Sequence, residues 1–267
     1  MNIAVTIGDR ISPIKGGGAL RVIKTAKAFA KKGNQVKFYA PSDRQEIDGI
    51  LVESIPVASQ ERSMFLSSAE LILSLFYKFV KDRKEIDLVF AHNVVVAIPT
   101  IAFCKLFNKK LVYDVTDLQT EYFLQNKKSF AWRQVINFLI KLEYLTYNLS
   151  PKLIVVSEAM KERMVSRGVK ASKIHVVYDG AETDQFDPKK EENKHITIIH
   201  HGGLQPHDGA TLIPKAAKYV LEKHPDTKFL IVGAGAELEK IKTLAKENNA
   251  EQAFEFTGWL PYEKMKG

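Results

Sequence analysis

The sequence predicts an α/β protein made of two Rossmann-like domains, residues 1–190 and 191–267. Three observations lead there. Short apolar runs alternate with amphipathic helical stretches along the chain, the pattern of repeated β-α-β units. Residues 153–188 read as strand, helix, strand and turn, then run into the charged, proline-bearing link FDPKKEENK, as one domain does where it meets the next. Glycines and polar residues gather after several predicted strands, where open α/β sheets bind their ligands.

Taken in order, residues 3–7 form a first strand that feeds the loop GDRISPIKGGG. A helix follows from residue 19 to about 32. Ala19, Val22, Ile23, Ala26, Phe29 and Ala30 make its apolar stripe, and Gly33 stops it. Three consecutive glycines before a helix allow close backbone approach and leave amide N–H groups pointing outward. From chemistry alone this loop is either an anion or sugar site or a flexible connection. Strands at 35–39 and 51–55 come next.

Residues 61–84 carry aromatic and aliphatic side chains beside Lys78, Lys81, Arg83 and Lys84. Such a helix either covers the sheet or lies on an anionic membrane surface. A strand at 87–91 ends at His92-Asn93, a helix spans 98–107, and a strand at 110–114 ends at Asp114, Thr116 and Asp117. Two polar clusters at consecutive strand ends are candidates for a site by position. The helical segment 132–147 includes Glu143, read as structural.

At 153–156 a buried strand leads to Ser157, whose hydroxyl can cap the next helix; Gly168 supplies that helix's left-handed stop. Residues 174–178 are apolar enough for a strand covered on both faces, and Asp179-Gly180 turns the chain. The second domain repeats the pattern: strands at 196–200, 228–232 and 253–257, helices at 210–222 and 236–248. Gly233 and Gly235 imitate a dinucleotide fingerprint, but Leu238 stands where the third glycine belongs, which disfavours an NAD enzyme.

Composition narrows the classes. In 267 residues, 45% hydrophobic content supports a core, and 26% charged residues argue against disorder. The single cysteine, Cys104, lies in an apolar helical run and fits a reducing cytosol. There is no signal-peptide pattern and no stretch of about 20 apolar residues, so a cytoplasmic protein, with peripheral membrane contact at most, is expected. A net charge of +8 favours anionic partners. Nucleic acid ranks low among them, because no helix-turn-helix, zinc finger or RNP-like aromatic pair is visible. His200 and His201 lack a third ligand at metal-binding spacing, so no metal site is expected.

The stretch LIVVSEAMKERMVSRGVKASKIHVVYDGAETDQFDP resembles the end of the N-terminal domain in retaining glycosyltransferases of the GT-B fold, family 4. That family shows a strand ending in V-S, a helix, a strand followed by N-G-V-D, and Phe-x-Pro. Here these are Val156-Ser157, Asp179-Gly180-Ala181-Glu182 and Phe186-Asp187-Pro188, with Asp179 keeping the turn chemistry of the usual Asn. TGWLPYEKM resembles the family's F-x-G-W-x-P, after which members carry a glutamate pair that binds donor sugar and ribose. The resemblance therefore implies two GT-B domains across a cleft, the second incomplete, in a C-terminally truncated chain of impaired turnover.

It further implies hexosyl transfer, with retention, from a nucleotide sugar (UDP-, GDP- or similar) to a glycan or lipid-linked acceptor in polysaccharide biosynthesis, without metal or other cofactor. Gly16, Gly17 and Gly18 would shape the donor–acceptor loop. His92 and Asp117 would be the catalytic-side residues facing the acceptor, although Thr116 replaces the family's usual His. Gly202, Gly203 and Gly209 would admit the diphosphate close to backbone. Gly203 and Asp208 stand where many members have a phosphate-neutralising Arg and Lys, leaving His207, Arg10, Lys15 or Arg21 to supply charge. Those departures sustain an alternative, a non-catalytic GT-B-like binding subunit that has lost donor chemistry. A sugar-nucleotide epimerase shares the same architecture.

Overall fold

The computed structural model describes residues 1–12, 14, 16–56, 64–118, 120–121, 129–181, 195–260 and 264. The chain divides into two compact units, Met1–Asp179 and Gly180–Gly267. The domain boundary expected near 190 and the motif Phe186-Asp187-Pro188 lie outside the described residues.

The first unit is an eight-stranded sheet ordered β3-β4-β2-β1-β5-β6-β7-β8. Its elements are β1 (Asn2–Ile7), α1 (Gly17–Lys31), β2 (Gln35–Ala40), β3 (Glu46–Ile47), β4 (Ile50–Ser54), α2 (Met64–Lys81), β5 (Leu88–His92), α3 (Val94–Leu106), β6 (Lys110–Val115), α4 (Phe130–Leu149), β7 (Leu153–Val155), α5 (Glu158–Ser166) and β8 (Ile174–Val176). Every neighbouring pair is parallel except β3 with β4.

The chain first winds outward from β1 through β2 and β4, then returns to place β5 on the other side of β1. The strand order therefore reverses between β1 and β5, and ligands of open α/β sheets bind in the crevice at such a reversal. Alternation along β1 sends Ile3, Val5 and Ile7 into one core with Val22, Ile23 and Ala26 of α1. Ala4 points to the other, filled by Leu75 and Phe79 of α2, Phe103 of α3, and Ile140 and Tyr147 of α4. Strands buried on both faces in this way account for the near-continuous apolar runs.

Several elements differ from the sequence reading. The antiparallel β3 was not expected; it pairs with β4 through Asp48-Gly49, both in the left-handed region at φ 53° and 80°. An Asp-Gly pair is the standard signal for such a two-residue hairpin turn. The strand expected over 174–178 ends at Val176 and is not covered on both faces, since its burial alternates; among the described residues β8 closes one edge of the sheet and pairs with β7. Ile174 is buried while His175 is exposed and Tyr178 is 65% exposed. Residues 177–181 then run on without regular structure. The Ser157 cap forms, its Oγ accepting from Met160 N at 3.2 Å, and Gly168 ends α5 at φ 91°.

The second unit holds a parallel sheet ordered β11-β10-β9. It comprises β9 (Thr197–His201), α6 (Leu212–Lys223), β10 (Lys228–Val232), α7 (Leu238–Glu247) and β11 (Phe254–Gly258), with a 3-10 turn at Pro206–Asp208. Leu204, Ala210, Ile231 and Ile241 form one small core.

The loops that follow β9 and β10 pack backbone on backbone. Leu204 N donates to Ala234 O, and Glu237 N to Leu204 O. A Cβ on Gly233 would lie 2.0 Å from Gly202 O, and one on Gly235 would lie 2.4 Å from Leu204 O. The Gly-x-Gly read as a weak dinucleotide signal is here a packing device. Gly235→Ala is expected to cost about 2 kcal/mol through overpacking against main chain. Urea unfolding of the second unit reads this out, and an unchanged midpoint would show that the two loops separate without penalty.

Candidate active site

Three segments meet at the strand reversal of the first unit. β1 ends at Ile7 and continues into Gly8-Asp9, β5 ends at His92 and continues into Asn93, and α1 begins at Gly17. Register places Ile7 beside His92, and His92 beside Asp114 near the end of β6.

His92 is 2% exposed and Asp114 is wholly buried. Their side chains meet, His92 Nδ1 lying 2.8 Å from Asp114 Oδ2. Asp114 also receives both ends of one guanidinium, from Arg21 Nε at 3.0 Å and Arg21 Nη2 at 2.9 Å. Arg21 Nη1 reaches on to Asp179 Oδ1 at 2.5 Å.

Burial alone would raise the Asp114 carboxyl. The hydrogen bonds and charges of His92 and Arg21 outweigh it and hold the group below the usual carboxylate range. The Arg21 guanidinium is raised in turn, foremost by its hydrogen bond to Asp114. An ionised carboxylate only accepts, so the His92 ring must donate from Nδ1. That fixes the tautomer and leaves Nε2 as the ring's other working atom.

Nε2 faces the start of α1, where a Cβ on Gly18 would come within 3.0 Å of it. A side chain at Gly18 would therefore crowd the ring. At Gly16 and Gly17 a Cβ would meet nothing within 4 Å among the described residues. What they provide is openness: Gly16 caps α1 with no side chain, so the first-turn N–H groups are presented unscreened to an anion.

Asn93 adds a strained neighbour at φ 71°. Its Nδ2 donates to Asp9 Oδ2 at 3.1 Å, while its Oδ1 is buried without a partner among the described residues. Asp117 lies two residues past β6 and is exposed, with Thr116 half-buried before it. The carboxylate that pairs with His92 is therefore Asp114.

Glu121 is tied to Tyr144 Oη at 3.1 Å and Arg163 Nη2 at 2.9 Å. Glu143 is buried in the core, accepts from Tyr147 Oη at 2.7 Å, and has its carboxyl raised by burial. Arg21, named above as one substitute phosphate cation, is committed to two carboxylates; Lys15 lies outside the described residues.

In the second unit, Gly202 and Gly209 adopt φ 142° and 70°. Asp208 Oδ2 accepts from Gln205 N at 2.8 Å, and the Gln205 side chain accepts from the backbone of Asp208, a reciprocal cap of the 3-10 turn. A Cβ on Gly203 would lie 2.7 Å from that same Oδ2. The two departures from the expected Arg and Lys are thus one local arrangement, in which the glycine makes room for the capping acid. His207 lies 3.7 Å from Asp208. Among the described residues no three His, Cys, Asp or Glu come together as metal ligands.

Residues 15–185 match Glycosyltransferase Family 4, and residues 181–266 match the glycosyl transferases group 1 family. The chain belongs to Glycosyltransferase Family 4. Among its relatives is a lipopolysaccharide 1,6-galactosyltransferase of Escherichia coli K12, 27% identical over 124 residues, 45% of this chain and 33% of that protein. The chain spans 33% and 65% of the lengths of the two curated relatives it matches. Its fold is that of GT-B glycosyltransferases. Sucrose-phosphate synthase from Thermosynechococcus elongatus superposes with a TM-score of 0.78 at 15% identity, covering 99% of this chain and 72% of that one. Anabaena HepE, in complex with UDP and glucose, gives 0.71 at 18% identity over 97% and 69%.

In this family 4 chain, Asp114→Asn is expected to cost about 2 kcal/mol at neutral pH, because it removes the buried charge that accepts from Arg21 and His92, while Asp179 still holds the guanidinium. The Asp114 carboxyl is depressed in the folded state and returns to about 3.9 on unfolding. Its stabilisation is therefore present above about pH 4 and lost as pH falls through the lower folded value. Urea titrations from neutral to acid pH should show the variant's acid slope flattened. Equal neutral stability and an unchanged slope would contradict the network.

Proposed function

We propose that this chain belongs to a retaining glycosyltransferase that moves a hexosyl group from a nucleotide-diphosphate sugar to a glycan or lipid-linked acceptor in the cytoplasm. The observation that carries the reading is the oriented His92, held by Asp114 and Arg21 under Gly18 at the strand reversal of a family 4 chain. UDP is the nucleotide to try first, since UDP occupies the HepE structure; galactose and glucose follow from the names of that structure and of the galactosyltransferase relative.

In the reaction, the bond from the anomeric carbon to the diphosphate oxygen breaks and a bond to the acceptor oxygen forms on the same face. The acceptor proton passes to the departing phosphate oxygen. Leaving-group departure is the costly event, and donors preorganised on the diphosphate oxygens lower it. With Gly203 and Asp208 in place of two cations, the backbone N–H groups of Gly203 and Gly209 take up that task, while Gly202, whose own N–H is given to Val232 O, keeps the approach open. His92 Nε2 orients a sugar hydroxyl, the first-turn amides beyond Gly16 and Gly17 face donor or acceptor oxygens, and Asp117 borders the acceptor. No cofactor besides the nucleotide sugar enters this scheme.

A second reading, a binding subunit without donor chemistry, is favoured by one observation: the acid at Asp208 is built into its loop as a cap. Calorimetric titration with UDP and GDP separates the two. Heat from either supports the transferase; none from both favours the binding subunit. Given UDP binding, release of UDP from UDP-glucose and UDP-galactose with lipid-linked acceptors is the activity assay. His92→Ala is expected to lower it about tenfold or more through loss of one oriented hydrogen bond. Turnover unaffected by that change would remove His92 from the site.

A further inference from the structure

We infer that the outer faces of α2, α3 and α4 together form a docking surface for an anionic lipid bilayer. The three helices pack side by side over one face of the sheet, their inner sides sharing one core. The outer side of α4 is also apolar. Val135, Phe138, Leu142, Leu145 and Leu149 recur at spacings of three and four, directly opposite the buried Ile136, Ile140 and Tyr147.

Phe138 is 59% and Leu145 51% exposed. That stripe alone amounts to on the order of 400 Å² of apolar surface, the size that marks an interaction site on a single chain. Leu73 and Tyr77 of α2, and Ile98 and Leu106 of α3, are exposed as well, which widens the stripe into a layer.

Charge decides the occupant. The three helices carry Lys78, Lys81, Lys105, Arg133 and Lys141, against two acids, the half-buried Glu70 and the buried Glu143. Lys78 is taken by Glu53, whereas Lys81, Lys105 and Lys141 are exposed. A second copy of this face would bring lysine against lysine with no carboxylate between them. A surface of acidic headgroups meets both requirements, accepting the apolar side chains and pairing with the cations. Among the described residues no helix is long and apolar enough to cross a membrane, so the layer lies on the bilayer.

The helix for which the sequence left open both sheet-covering and membrane contact, α2, gives Phe79 to the fold. Phe79 is buried against Tyr39 and Phe103. The greater part of the surface belongs to α4.

Co-sedimentation of the full chain with vesicles tests this, using phosphatidylcholine alone and an equimolar mixture with phosphatidylglycerol. Binding to the mixed vesicles, weakened by salt and absent with phosphatidylcholine alone, is expected. The pair Phe138→Ser and Leu145→Ser, both at exposed positions, should lower the partition more than tenfold, and Lys105→Glu with Lys141→Glu should do the same. Circular dichroism checks that each variant is folded.

No binding, equal binding to both vesicles, or a folded serine variant that partitions like the parent overturns the proposal. So does a salt-insensitive dimer that the serine pair dissolves, which would assign the face to a second copy, or a stable complex with an acidic protein in place of lipid. Vesicle binding needs no sugar donor, so its failure leaves the transfer reading standing.

Discussion

The first unit depends on one buried ion, the Asp114 carboxylate. A charge so far from water survives only when it is matched on every side, and here a guanidinium and an imidazole do the matching. Each partner is itself positioned by the fold: Arg21 one turn into α1, His92 at the end of β5, Asp114 near the end of β6. Parallel strands in register and a helix laid across them make the geometry a result of topology. The functional consequence is a histidine with one tautomer and one orientation, in the crevice where the winding of the sheet reverses.

Much of this was legible beforehand, and the reasons are local. The central strands of the first sheet, β1 and β5 above all, are apolar on both faces, so they stand out as short runs whichever way they face. Ser157 and Gly168 mark the ends of α5 by chemistry that acts within four residues. His92 and Asp114 were visible as polar residues at consecutive strand ends. Their pairing was not, because it depends on the register of β5 with β6, which no local pattern encodes. Arg21 was visible as a cation that could serve a phosphate, but its two acid partners were not, because only tertiary packing turns it toward Asp114 and Asp179. The hairpin at Asp48-Gly49 had a clear signal, but its two-residue strand was too short to stand out by periodicity. Tyr178 is as apolar as the strand before it, yet it lies past the end of β8 and is exposed, because composition does not show where pairing with β7 stops.

The glycines separate by function in a way that residue type alone does not reveal. Gly235 is needed for the room it gives a carbonyl, whereas Gly18 and Gly203 leave room for the side chains of His92 and Asp208. Among the described residues nothing crowds Gly16 and Gly17. Likeness to a motif and need for a small residue are different properties, and Gly233 and Gly235 show how packing can imitate a cofactor fingerprint.

The position of Asp179 carries one more consequence. It is the last residue of the first unit, and it is fastened to the same planar group that grips Asp114. One side chain thus holds both the carboxylate that orients the histidine and the residue at which the chain leaves the unit.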